Sequence, residues 1–145
     1  MIVAYITINL YIVFSDIRFR VIDNYSIILL LITNLVISGE WMLFSEMIKS
    51  IFICSIFGSL LFSMRFWAGG DSKLIIALAP LFPFYLLDEI LYLIILFGGI
   101  LSLIYWIKYR LIFIEKKDRG VPYGVAILAG SNIYLYGILS GLIIV

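Results

Sequence analysis

Ile90-Leu91-Tyr92-Leu93-Ile94-Ile95-Leu96-Phe97-Gly98-Gly99-Ile100-Leu101-Ser102-Leu103-Ile104-Tyr105-Trp106-Ile107 contains no charged side chain, and it decides the fold class. As a helix at ~1.5 Å per residue it covers roughly 27 Å, close to the ~30 Å hydrocarbon core of a bilayer. Its apolar residues run unbroken instead of alternating, so a spanning helix is expected rather than a barrel strand. Asp88 and Glu89 precede it and Lys108 follows it, charges that belong at the water boundary.

Working outward, similar apolar segments occupy residues 1–15, 25–38, 47–66, 74–87 and 121–145. The expectation is an all-α, multi-pass membrane protein of about six transmembrane helices, forming one domain over residues 1–145. Composition agrees. Of the 145 residues 65% are hydrophobic and 13% charged, with a mean hydropathy of +1.21. Soluble domains carry about twice that share of charge. Several runs fall short of the ~20 residues a span needs. The first is expected to continue as helix past Ser15 into Asp16, with Arg18 and Arg20 snorkelling outward and Asp16 held at interfacial depth. The start, Met1-Ile2-Val3-Ala4-Tyr5, has no basic residue and no small-residue cleavage site follows, so no cleaved signal peptide is expected.

Six spans put nine of the ten Lys and Arg residues on one side: Arg18 and Arg20, Arg65 and Lys73, then Lys108, Arg110, Lys116, Lys117 and Arg119. Lys49 alone falls on the other, among Glu40, Glu46, Asp88 and Glu89. The positive-inside rule makes the basic side cytoplasmic, with both termini extracytoplasmic and the protein in the cytoplasmic membrane. Pro80 and Pro83 should break the fourth run, and Pro122 suits a helix start. Gly137 with Gly141, and Gly98 with Gly99, are candidate close-packing positions.

A net charge of +1 gives no reason to expect nucleic acid as a partner; membrane lipids are the expected surroundings. No histidine is present and Cys54 is the one cysteine, so neither a zinc site nor another cofactor is expected. Acids remain as candidates. Glu115 and Asp118 read as solvated loop charges. Asp16 and Asp71 abut apolar helices, where an acid is costly and defaults to a functional hypothesis. Two spans lie between them, so both reach the same face. A carboxylate pair with no histidine, thiol or metal beside it suits an aspartic protease dyad, in which two acids share one proton. Local alternatives stand beside this. Gly69-Gly70-Asp71-Ser72 also fits a turn and helix N-cap, and Asp16 also fits a salt bridge to Arg18 or Arg20. Lys73 fits either an electrostatic partner of an acid or a snorkelling topology signal.

Ser15-Asp16-Ile17-Arg18-Phe19-Arg20-Val21-Ile22-Asp23-Asn24 and Ala68-Gly69-Gly70-Asp71-Ser72-Lys73-Leu74 together resemble the type IV prepilin peptidases, above all the short forms that process Flp/Tad pilins and archaeal flagellins. The second segment is similar to that family's Gly-x-Gly-Asp-x-Lys motif. A weaker likeness is Val121-Pro122-Tyr123-Gly124-Val125-Ala126-Ile127. Two departures stand out: Ala68 replaces a glycine, and Asp23 replaces a proline and adds a third acid. The resemblance implies Asp16 and Asp71 as the catalytic pair, with Arg20, Asn24, Gly69, Gly70 and Lys73 as motif residues. It implies hydrolysis of one peptide bond in prepilin-like or preflagellin-like precursors, which join a basic leader to an apolar helix. The cut would fall at the cytoplasmic boundary, with Gly69 and Gly70 offering close approach to an extended peptide. Larger members also methylate the new amino terminus and carry a cysteine-rich insertion; its absence here implies cleavage alone. A transporter or proton channel using the same acids, and a non-catalytic scaffold subunit, are the competing readings.

Overall fold

The computed structural model describes residues 2–112 and 120–141, and within them each apolar run forms helix. The helices are α1 (Ile2–Phe19), α2 (Asn24–Ser38), α3 (Phe44–Ser63), α4 (Gly69–Leu78), α5 (Leu87–Ile107) and α6 (Tyr123–Leu139). Two 3-10 turns, Ala79–Leu81 and Phe84–Leu86, lead from α4 to α5, and a π-helical turn, Lys108–Ile112, extends α5. No strand occurs among the described residues. The expected basic loop with Glu115, Lys116, Lys117, Asp118 and Arg119, and the last residues of the 121–145 run, lie outside them.

The helix ends have local causes. Arg20 adopts a positive φ of 60° and stops α1, its N–H still bonded to the Asp16 carbonyl at 3.1 Å. Asp23 caps α2, its carboxylate accepting from the Ser26 N–H and hydroxyl, both at 2.9 Å. Arg65 at φ 61° turns the chain after α3. Pro80 has no N–H to continue α4, and the helix tightens into a 3-10 turn there, as the prolines implied. Such a break frees carbonyls inside the bundle. Asn34 Nδ2 donates to the Ala77 carbonyl and Ser50 Oγ to that of Phe82, each at 2.7 Å.

This broken α4 is the centre of the molecule. Leu74, Leu78 and Leu81 are fully enclosed, with α2, α3 and α6 packed around them. α1 lies between α2 and α6, and α5 closes against α6. The outside is apolar: Leu10, Phe14, Ile28, Ile32, Phe52, Ile56, Leu96 and Leu103 are all exposed. The inside holds Asn9, Asn34, Ser38, Ser50 and Ser131. That distribution reverses the order of a soluble protein and fits lipid as the outer solvent. The chain is an all-helical membrane protein.

Span length and glycine packing are where the structure adds most to the sequence reading, and the glycine expectation needs correction. Three stretches are long and apolar enough to cross a bilayer: Ile2–Phe19, Phe44–Ser63 and Phe84–Arg110. Asn24–Ser38 and Tyr123–Leu139 are apolar but shorter, and α4 is broken by Pro80. Six helices exist among the described residues, and the short runs of the sequence become short helices. Gly141, paired with Gly137 in the sequence reading, lies beyond α6 at φ 72° with open space around it. Close packing instead uses Gly130, where an added Cβ would sit 3.0 Å from the Ile94 backbone nitrogen. Gly98 yields room to the Tyr123 ring, while Gly99 faces open space.

Candidate active site

The end of α1 and the start of α4 arrive at one cleft of about 390 Å³, and each delivers an acid to it. Asp16 and Asp71 both line this cleft, together with Arg20, Ile22, Gly70 and Tyr123. The two carboxyl residues are 6% and 7% exposed. Among the described residues, no other acid lines the cleft.

Asp71 is the third residue of α4, not its N-cap. Ala68 holds the cap position, and the Asp71 carboxylate reaches back to accept from the Ala68 N–H at 3.2 Å. That bond satisfies one free donor of the helix start and fixes the side chain. Asp16 is fixed differently. The Gly124 and Val125 N–H groups at the start of α6 stand near its carboxyl, yet its buried Oδ2 completes no hydrogen bond within the protein. Gly124 has no room for a side chain, since an added Cβ would lie 2.8 Å from Asp16 Oδ2 and from Ile22 Cδ1. Neither arginine forms an ion pair with Asp16: Arg18 lies over the Phe19 ring at 5.8 Å, and Arg20 over the Tyr105 ring at 5.1 Å.

Asp23, the acid that stands where the motif has proline, is occupied by its capping role. Partial burial pushes its carboxyl up, but the hydrogen bonds from the Ser26 N–H and hydroxyl outweigh this and hold it below the usual carboxylate value. Lys73 Nζ donates to Asn24 Oδ1 at 2.9 Å, tying the start of α4 to the start of α2. The two motif residues are therefore partners of each other, a pairing that neither sequence reading of Lys73 contained. Gly70 lies against Ile22, where an added Cβ would meet the Ile22 Cβ at 3.3 Å.

A second cleft, about 720 Å³, adjoins the first and shares Asp71, Ala68, Val121 and Tyr123 with it. Its wall is aromatic: Phe57 meets Trp67 at 5.8 Å and Trp67 meets Tyr123 at 5.9 Å between ring centroids. Tyr123 and Gly124 were visible in the sequence only as part of a weak likeness, and Trp67 not at all. Their places depend on how α6 seats against α1 and α5, which no local spacing encodes. No group of three or more His, Cys, Asp or Glu side chains able to hold a metal occurs among the described residues.

No curated protein and no solved structure matches the chain. A family model described as the type IV leader peptidase family matches residues 3–107, a stretch that contains both Asp16 and Asp71. The chain belongs to the type IV leader peptidase family.

Proposed function

We propose that this protein is an aspartic endopeptidase that removes the basic leader from type IV pilin-like precursors at the cytoplasmic face of the membrane, with Asp16 and Asp71 as its catalytic pair. The observation that carries the reading is the shared cleft: two buried acids, from separate helices, line it in a leader peptidase chain.

The chemistry follows from the pair. Two carboxyls that meet across one buried cleft hold one proton between them more readily than none or two. The ionised one takes a proton from a water molecule as its oxygen attacks the scissile carbonyl carbon. The protonated one donates a hydrogen bond to the carbonyl oxygen. The tetrahedral intermediate then collapses, the C–N bond breaks, and the nitrogen leaves with a proton from the pair. Activity should therefore peak where one acid is protonated and one ionised, and fall on both sides of that pH. The location at the cytoplasmic boundary is supported by the concentration of Lys and Arg on the side where α1 and α3 end. A single, buried Cys54 favours cleavage without methylation of the product.

The test is co-expression with a candidate pilin-like precursor, scored by the gel shift on leader removal. Asp16→Asn and Asp71→Asn should each abolish the shift. Asp23→Asn, which keeps a capping side chain, should cut at the wild-type rate. Zinc chelators should not inhibit. Leader removal that survives neutralisation of Asp16 or Asp71 overturns the dyad; a precursor left uncut by wild type overturns the substrate class.

A further inference from the structure

Arg20 is the one cation that lines the cleft of Asp16 and Asp71 among the described residues. Its guanidinium Nε and Nη1 are buried and have no hydrogen-bond acceptor. A buried charged donor left unpaired is costly, and native structures rarely tolerate it without a reason. The neighbouring acid does not supply the acceptor. Asp16 is near enough to feel the Arg20 charge, yet the two form no ion pair.

The surroundings hold the group where it is. The Tyr105 ring lies 5.1 Å from the guanidinium carbon and steadies the cation without consuming its N–H donors. The backbone is held too. Arg20 keeps a φ of 60°, a conformation that side-chain-bearing residues rarely adopt. The turn is tied on either side, by Arg20 N–H to the Asp16 carbonyl and by the Ser15 hydroxyl to the Val21 carbonyl at 2.7 Å. A strained residue fixed from three sides, lining the cleft with unpaired donors buried at its edge, is arranged to meet something that arrives there.

We infer that Arg20 binds the backbone of the substrate, its free guanidinium N–H groups donating to peptide carbonyl oxygens beside the scissile bond. This rests on the peptidase reading above. The choice of carbonyl over carboxylate comes from charge: a third acid brought between Asp16 and Asp71 would be repelled by the negative charge that the pair carries. A peptide can be cut only where it is extended, and there its carbonyls have lost their helical partners. At the lipid boundary few waters replace those partners, so a fixed donor fork offsets a real penalty. Arginine suits the task because its planar fork presents several donors in fixed geometry.

The test uses the purified full-length enzyme and a synthetic precursor peptide that wild type cuts. Arg20→Gly removes the fork and relieves the positive φ, so it should fold at least as stably as wild type. Arg20→Lys keeps the charge but loses the fork. Both should raise KM about 10- to 100-fold, the scale of losing charge-assisted hydrogen bonds, with a smaller change in kcat. Replacing single backbone amides near the cut by esters weakens one carbonyl acceptor at a time. At one position, the ester should impair binding by wild type but add nothing in Arg20→Gly. An unchanged KM in both variants overturns the inference, as do ester and Arg20 effects that multiply independently at every position. Either result leaves the dyad standing, because Asp16→Asn and Asp71→Asn test that separately.

Discussion

Asp16 keeps a bare, buried oxygen because the residue opposite it has no side chain. Gly124 stands where any Cβ would press on Asp16 Oδ2 and on Ile22. Gly124→Ala should therefore move the acid by a fraction of an ångström to one ångström while leaving the helices in place. Displacements of that size cost about 100-fold in rate when groups must align for reaction. Leader cleavage by Gly124→Ala should fall by about that factor with an unchanged melting temperature. A matching loss of thermal stability would mean that the substitution damages packing instead. At this scale the sequence revealed the acids and hid their surroundings. Two apolar runs between Asp16 and Asp71 were enough to bring them to one face. The meeting of Gly124 with Asp16 joins residues at opposite ends of the chain, and it depends on the angle at which α6 lies on α1. The Lys73–Asn24 bond was hidden for the same reason.

Among the elements, α4 and the α5–α6 pair set the geometry. Pro80 and Pro83 made the break after α4 readable, because a missing N–H acts locally. What the break needs in return was less readable. Asn34 and Ser50 appear in sequence as isolated polar residues in apolar runs; the structure shows them satisfying carbonyls at the break. Glycine spacing misled for a related reason. Gly137 and Gly141 have the spacing of a packing motif, but α6 ends at Leu139. The contact that matters is Gly130 on Ile94. Gly130→Ala meets backbone, which cannot swing aside, and should cost about 1–3 kcal/mol by forcing α5 from α6. Gly99→Ala enters open space and should cost nothing measurable. Thermal unfolding of both variants in detergent checks the contrast; equal melting temperatures would refute it.

For the whole molecule, charge and hydropathy said most. The inverted arrangement of polar and apolar residues followed from composition alone. The exact helix ends did not follow, because apolar runs show where lipid is tolerated and not where a helix stops; Arg65 and Pro80 decide that through backbone conformation. The proposed orientation has its own check. A cysteine at Arg65 should react with an impermeant maleimide in inside-out vesicles, and one at Glu40 only in right-side-out vesicles. Cys54 is buried and should stay silent in both. Reversal of this pattern would place the acids on the wrong side for a basic leader.

The helices on either side of α1 have a further consequence. α2 has 15 residues and α6 has 17, roughly 22 and 25 Å of helix. With both helices spanning as proposed, acyl chains along this flank must compress to match them, by several ångströms relative to a ~30 Å core. On the proposed topology the membrane is therefore thinnest beside the helix that carries Asp16, and headgroup water is drawn inward toward the cleft that Asp16 and Asp71 line.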